Sequence, residues 1–419
     1  MAKIAFLQSS TFVPCCFHVP TSSQPLLIPG ANRILVVAVM SCVYCANAIG
    51  ADNTFEPYLG YTFGSDDNVL GLASDSQYLR LTGQADGSDT TSTARGGIRA
   101  VYQLSRQSFD LNAELSKTRY AHFQSLDYDG RNVQANWHWM IGNALSGTIG
   151  TTNVQSVGQL SNFQQLTRNL RTDGQAYGNA EWMVTPSWRV VLKGSKYALR
   201  YDLAAQQYAN IDESRIESGL SYVSASGNNI GLLLQQTDGK YPNRTRFTGQ
   251  NEDFQQNEIK INGDWLVSGK SRLQLLFGWT SRDSADAVSR NFSGPTARAT
   301  WNWAASGKTS LIASLWKEVT AVDDVLAAYS VNKGVSLSPS WSLSQKVTMR
   351  GDLRYEKRDF QGSAIATFSI DRTASLTMAY APFRNTLLQA SRFMFSRQGN
   401  AYGGGYKRHG AMLTAQYTF

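Results

Sequence analysis

The stretch Asn132-Val133-Gln134-Ala135-Asn136-Trp137-His138-Trp139 decides the fold. Its odd-numbered positions are apolar and its even-numbered positions polar, the period of a β-strand with two different faces. The same rule holds at Leu273, Leu275, Phe277 and Trp279 against Arg272, Gln274, Leu276 and Gly278. It returns at Ala374, Leu376, Met378 and Tyr380 against Thr373, Ser375, Thr377 and Ala379. From Thr54 onward, segments of about ten residues obey it, the length of a tilted membrane-crossing strand. Tight turns join them in pairs, at Ser105–Ser108, Ile141–Ser146, Thr185–Ser187, Ala225–Asn228, Ser268–Ser271, Ala305–Lys308, Pro339–Lys346 and Ala381–Asn385. Longer polar connections alternate with these turns, such as Asp66–Asp89, Val154–Gly174 and Asp238–Asp253. Eight short turns and nine longer loops make 18 strands, an all-β transmembrane antiparallel barrel. The short turns belong on the periplasmic side and the longer loops outside.

Composition agrees. In 419 residues, 17% are charged and 42% hydrophobic, with a mean hydropathy of −0.30. Only Ile34–Tyr44 approaches a helical membrane span, and it is too short. A polytopic helical membrane protein is excluded, whereas a barrel is not, because alternation dilutes its signal. The net charge is +8 without a long basic run, so nucleic acid is not an expected partner.

The N-terminus reads as a removable leader. Arg33 precedes the apolar run, and the small residues of Ala46-Asn47-Ala48 and Ile49-Gly50-Ala51 follow it. Residues 1–51 are therefore expected to be an extension plus signal peptide, and 52–419 a single barrel domain. All four cysteines (Cys15, Cys16, Cys42, Cys45) fall in the leader, which suits a mature chain in an oxidising compartment.

Eight of the ten tryptophans (Trp137, Trp139, Trp182, Trp188, Trp265, Trp301, Trp303, Trp341) lie close to the short turns. Most fall on the apolar face, as an interfacial girdle requires. The chain ends with Ala411, Leu413, Ala415, Tyr417 and Phe419 on one face of a last strand. Tyr417 and Phe419 are the expected signal to the barrel-insertion machinery. The strings Ser268-Gly269-Lys270-Ser271 and Ser306-Gly307-Lys308-Thr309 imitate the end of a phosphate loop. They lack its upstream glycine and following helix, so they read as hairpin turns.

Chemistry of an enzyme is thinly represented. Three histidines, His122, His138 and His409, are scattered beyond the leader, and no G-x-S-x-G elbow occurs. No catalytic residue, metal or cofactor is expected. The alternation instead turns charges inward: Arg95, Arg99, Arg189, Lys193, Lys260, Arg272, Arg298, Arg350 and Arg354 against Asp110, Glu114, Glu181, Glu217, Glu258, Asp264, Glu318, Asp352 and Glu356. Nine against nine does not argue for strong anion selectivity. From this set Arg99, Arg189, Lys193, Lys260, Arg272, Arg298, Arg350, Arg354, Glu114 and Glu181, with Trp316, are the candidate lining of a substrate path. Trp316 and Tyr197 are candidates for stacking on sugar rings. In the 154–174 loop, Arg168 and Arg171 are candidates for a constriction or a binding loop.

Several stretches resemble the exopolysaccharide-operon outer-membrane proteins called EpsL, associated with exosortase-type systems. They are Tyr61-Thr62-Phe63-Gly64-Ser65-Asp66-Asp67-Asn68-Val69-Leu70, Arg168-Asn169-Leu170-Arg171-Thr172-Asp173, Asn291-Phe292-Ser293-Gly294-Pro295 running into Trp301-Asn302-Trp303 and Gly307-Lys308, and Arg358-Asp359-Phe360. The resemblance covers roughly 52–419 and has no counterpart for 1–30. It implies a role in polysaccharide assembly or export at the outer membrane of a Gram-negative bacterium. A passive conduit for a secreted polysaccharide is then the first expectation, with periplasmic polysaccharide-export proteins as candidate partners beside outer-membrane lipid and lipopolysaccharide. A general diffusion porin or small-solute channel is the alternative, and a barrel enzyme the third.

Overall fold

A computed structural model describes residues 53–158, 160–163, 165–285, 291–322, 327–362, 367–400 and 404–419. The expected leader, with the four cysteines and the expected cleavage site, lies outside these. The strands are β1 (Thr54–Asp66), β2 (Asp89–Leu104), β3 (Gln107–Tyr120), β4 (Tyr128–Ile141), β5 (Leu145–Val157) and β6 (Leu170–Thr185). There follow β7 (Trp188–Tyr201), β8 (Ile211–Val223), β9 (Asn229–Lys240), β10 (Phe254–Ser268), β11 (Ser271–Ser284) and β12 (Phe292–Trp303). The last six are β13 (Thr309–Thr320), β14 (Tyr329–Ser342), β15 (Val347–Gln361), β16 (Thr367–Phe383), β17 (Thr386–Gly399) and β18 (Tyr406–Thr418). Short helices α1 (Asp75–Thr82), α2 (Leu160–Phe163) and α3 (Arg244–Thr248) lie in the longer loops.

Each strand pairs antiparallel with its sequence neighbours, and β18 pairs with β1 from Tyr58–Thr418 to Asp66–Gly410. The sheet is therefore closed, and no strand edge is left to be satisfied in lipid. The amide of Phe419 donates to the Pro57 carbonyl at 2.9 Å, and its ring packs edge-on against Tyr417 on the outer face.

All eight expected turns are present; the bounds of one of them and of one longer loop are corrected. The β14–β15 connection is only 343–346: Pro339 remains in β14, where the ladder to β15 skips the positions around it. A residue without an N–H fits such a gap. The β5–β6 loop is 158–169 rather than 154–174, because both strands keep alternating beyond the membrane.

The outer face is the apolar one. Leu275, Phe277, Trp279, Ile259, Ile261 and Leu315 are all exposed on it, as are seven of the eight girdle tryptophans, with Trp139 half-buried in the same row. Leu276, one position away, faces the lumen. Replacing Leu275 by Arg is expected to cost about 2–4 kcal/mol of folded barrel. Leu276→Arg is expected to be close to neutral. Urea titrations of folding into lipid vesicles compare the two, and equal costs would mean that the facing is wrong.

Buried apolar residues gather at the external end. Val69, Leu70, Leu72, Tyr78, Phe123 and Leu126, from the β1–β2 and β3–β4 loops, form one cluster, with Leu160 and Leu166 of the β5–β6 loop against it. Leu199, Tyr201, Ala209, Ile211, Tyr241 and Phe254 form a second. In the first, the Tyr78 hydroxyl donates to Asn68 Oδ1 at 2.6 Å and accepts from the Leu70 amide at 2.9 Å; burial pushes its pKa up to about 12.

Gly71 shows how tightly these loops are interlocked. A Cβ there would fall 2.5 Å from the Ser161 side chain and 2.9 Å from the Tyr406 ring, and its φ is +63°. Only glycine meets both conditions. Ser161 belongs to the β5–β6 loop and Tyr406 to β18, five strand intervals away around the barrel. The β5–β6 loop therefore reaches inward over the mouth.

Candidate functional site

The lumen wall is built by one residue in two from every strand. The nine inward cations and nine inward acids named from the sequence all stand on this wall, opposite the apolar row of their own strand. Charges are tolerable there because partners and water meet them. Arg189 Nη1 lies 2.8 Å from Glu181, Lys193 Nζ 2.7 Å from Glu217 and Lys260 Nζ 2.6 Å from Glu258. Arg272 forks onto Asp264 at 2.6 and 2.5 Å, and Arg298 onto Glu318 at 2.7 and 2.6 Å. Such bidentate pairs are the strong ones.

One cluster is more elaborate. Glu356 accepts from Arg354 at 2.6 Å, Arg358 at 2.8 Å and Trp316 Nε1 at 3.0 Å. The guanidinium carbons of Arg354 and Arg298 lie 4.4 and 5.4 Å from the Trp316 ring centroid. Trp316 is buried by these contacts, so it positions two guanidinium groups and does not offer a face to a sugar. Tyr197, the other stacking candidate, is half-buried and donates its hydroxyl to Asp173 at 2.6 Å.

The two sides of the charge balance differ in depth. In the Arg354–Glu356 pair the side chains are 51% and 4% exposed. In Lys193–Glu217 they are 50% and 14%, and in Arg272–Asp264 45% and 21%. Arg350–Asp352, Arg189–Glu181 and Arg95–Glu114 lean the other way, and Lys260 is nearly as sheltered as its Glu258. Arg99 has no acidic partner among the described residues and stands over the Tyr58 ring at 4.8 Å. Tyr58 in turn donates to Glu114 at 2.8 Å. In three pairs, then, the cation head reaches the water while its carboxylate is tucked beneath it.

Arg168 is an exposed residue of the β5–β6 loop. Arg171 is not a loop residue. It stands on β6, held by Asp173 at 2.8 Å through both Nε and Nη2. The strand simply runs two pleats further than the polar composition suggested.

His138 bridges Asp110 at 2.7 Å and Thr148 at 2.9 Å. The three side chains come from the adjacent strands β3, β4 and β5 and form a hydrogen-bonded chain along the wall. His409 lies beside Asp67 at 2.9 Å, and His122 beside Asp89 at 3.4 Å, both at the external end. The side-chain depth of these charges and the arginine pair around Trp316 escaped sequence reasoning; a contact across the strands leaves no local pattern.

A closed 18-stranded barrel with a lipid-facing apolar band and a charged lumen is a porin-like architecture. Comparison with known families agrees: residues 240–419 match the family model described as Putative beta-barrel porin 2. No curated protein matches the chain. Among solved structures, OccK2 (OpdF) of Pseudomonas aeruginosa is similar at 11% identity, covering 87% of this chain and 98% of its own, with a TM-score of 0.48. OccAB3 of Acinetobacter baumannii is similar at 9% identity, covering 87% and 99%, with a TM-score of 0.46. OpdK of Pseudomonas aeruginosa stands at 9%, 88%, 98% and 0.47. The likeness is one of barrel form. The chain is a porin-like β-barrel of the outer membrane of a Gram-negative bacterium.

Proposed function

We propose that this barrel is a passive, non-enzymatic channel of the porin kind that favours small anionic solutes. The observation that carries the reading is the depth of three lumen pairs, Arg354–Glu356, Lys193–Glu217 and Arg272–Asp264, each with its cationic head at the water surface and its carboxylate beneath. Exposed cations lower the energy of an anion in the lumen, while their paired acids keep each site weak. Weak, repeated sites permit exit as well as entry. Reconstituted in a planar bilayer across a potassium chloride gradient, the purified protein should give a reversal potential of the sign set by chloride. A cation-selective potential would sink the reading.

The conduit for a secreted polysaccharide implied by the EpsL resemblance is less well supported. The matching family model is of a porin, and loops interlocked over the mouth leave a small solute an easier passage than a polymer. A deletion strain that loses extracellular polysaccharide and accumulates it in the periplasm would reverse this order. The His138 chain is read as wall structure, so His138→Ala should leave conductance unchanged.

A further inference from the structure

The outer face of β13, β14 and β15 carries a feature that passage through the lumen does not use. Lys317 lies directly opposite Lys333, and Lys333 directly opposite Lys357. Three lysines thus stand in one row across three adjacent strands, although like charges directly opposite destabilise a strand pair. Among the described residues a single acid answers them. Asp359 lies 3.7 Å from Lys333 and 2.7 Å from Lys357. Lys317 has no acidic partner among the described residues. On the outer face across the barrel, by contrast, Lys117 and Arg119 have Asp129 at 3.9 and 3.6 Å, and Arg200 has Asp212 at 2.5 Å.

The height of the row matters as much as its charge. One pleat toward the periplasmic turns, the outward residues of the same strands are Leu315, Val335 and Tyr355, all exposed members of the apolar band. The ammonium groups therefore stand where hydrocarbon gives way to headgroups, on the external side. Beside them opens a cleft of about 340 Å³, whose walls include Lys317, Lys333, Val331, Phe360 and Phe368. Two ammonium groups above an apolar wall suit an amphiphile with its anionic head on the lysines and its chain alongside.

We propose that Lys317, Lys333 and Lys357 form a binding site for the phosphorylated headgroup of an outer-leaflet lipid. A phosphate would offset the excess of three positive charges over one negative among the described residues and relieve the repulsion along the row. The site is independent of what passes through the lumen.

The test uses the full barrel in detergent and diphosphorylated lipid A as probe, with binding followed by native mass spectrometry. Monophosphorylated and dephosphorylated lipid A and inorganic phosphate serve as competitors. The triple variant Lys317→Gln, Lys333→Gln, Lys357→Gln is expected to bind the lipid roughly tenfold or more weakly, since each basic residue near an anionic lipid surface contributes appreciably. Affinity should also fall with each phosphate removed from the lipid. The triple Arg variant keeps the charges and should retain binding, which separates lost charge from a damaged barrel. Equal binding by the wild type and the folded Gln variant would overturn the proposal. Inorganic phosphate competing as strongly as the lipid would overturn the assignment to a lipid.

Discussion

Replacing Arg298 and Arg354 together by Gln is expected to remove most of the anion preference of the channel. These two residues flank Trp316, and each presents a half-exposed guanidinium to the lumen. The partner acids Glu318 and Glu356 stay behind, so the local balance changes sign as well as size. A unit charge ~6 Å from a permeating ion in a water-like dielectric is worth ~0.7 kcal/mol, so two such charges change relative permeability by about tenfold. The reversal potential in a salt gradient reads this directly. The double Lys variant separates charge from geometry: it keeps both positive charges but loses the bidentate fork to Glu318. It should retain the sign of selectivity. A Gln double variant with the wild-type reversal potential would show that ions do not sense this part of the wall.

The barrel was legible because its two environments differ so sharply. Val133, Ala135, Trp137 and Trp139 meet lipid while Asn132, Gln134, Asn136 and His138 meet water, and that contrast is written at every second residue. The facing of the eighteen charges followed from the same rule. What did not follow was anything requiring contact between distant segments. Residues 158–169 read as a polar loop, yet Leu160 and Leu166 pack against a cluster built by the β1–β2 and β3–β4 loops. The lysine row joins residues 16 and 24 positions apart in sequence (317 to 333, 333 to 357), and becomes a row only once turn lengths fix the register. The depth of a carboxylate beneath its arginine is likewise invisible in a count of charges. Even the turn near Pro339 was misplaced for a tertiary reason, since a proline is admitted to a strand only where its neighbour leaves a gap.

The external mouth should open when Arg244 is replaced by Met. Arg244 is fully buried in α3 and links three loops by itself. Its guanidinium donates to the Tyr208 carbonyl at 3.1 Å, to the Val322 carbonyl at 3.0 Å and to Glu252 at 2.9 Å, and lies 3.6 Å from the centroid of the Tyr241 ring. Tyr208 belongs to the β7–β8 loop, Glu252 to the β9–β10 loop and Val322 to the β13–β14 loop. Removing one partner of a buried ion pair costs about 3–5 kcal/mol, because the other charge loses its compensation. The ladders of the barrel do not depend on this contact, so the cost falls on the loops and not on the strands. Local opening, not global unfolding, is the expected response. Single-channel conductance should rise, and the segment around Tyr208 should become sensitive to added protease while the barrel keeps its heat-modifiable migration on a gel. Arg244→Lys should fall between the two, since an ammonium group retains the pair with Glu252 but cannot reach two carbonyls and a carboxylate in one plane. Unchanged conductance and unchanged cleavage in the Met variant would mean that these loops do not gate the mouth.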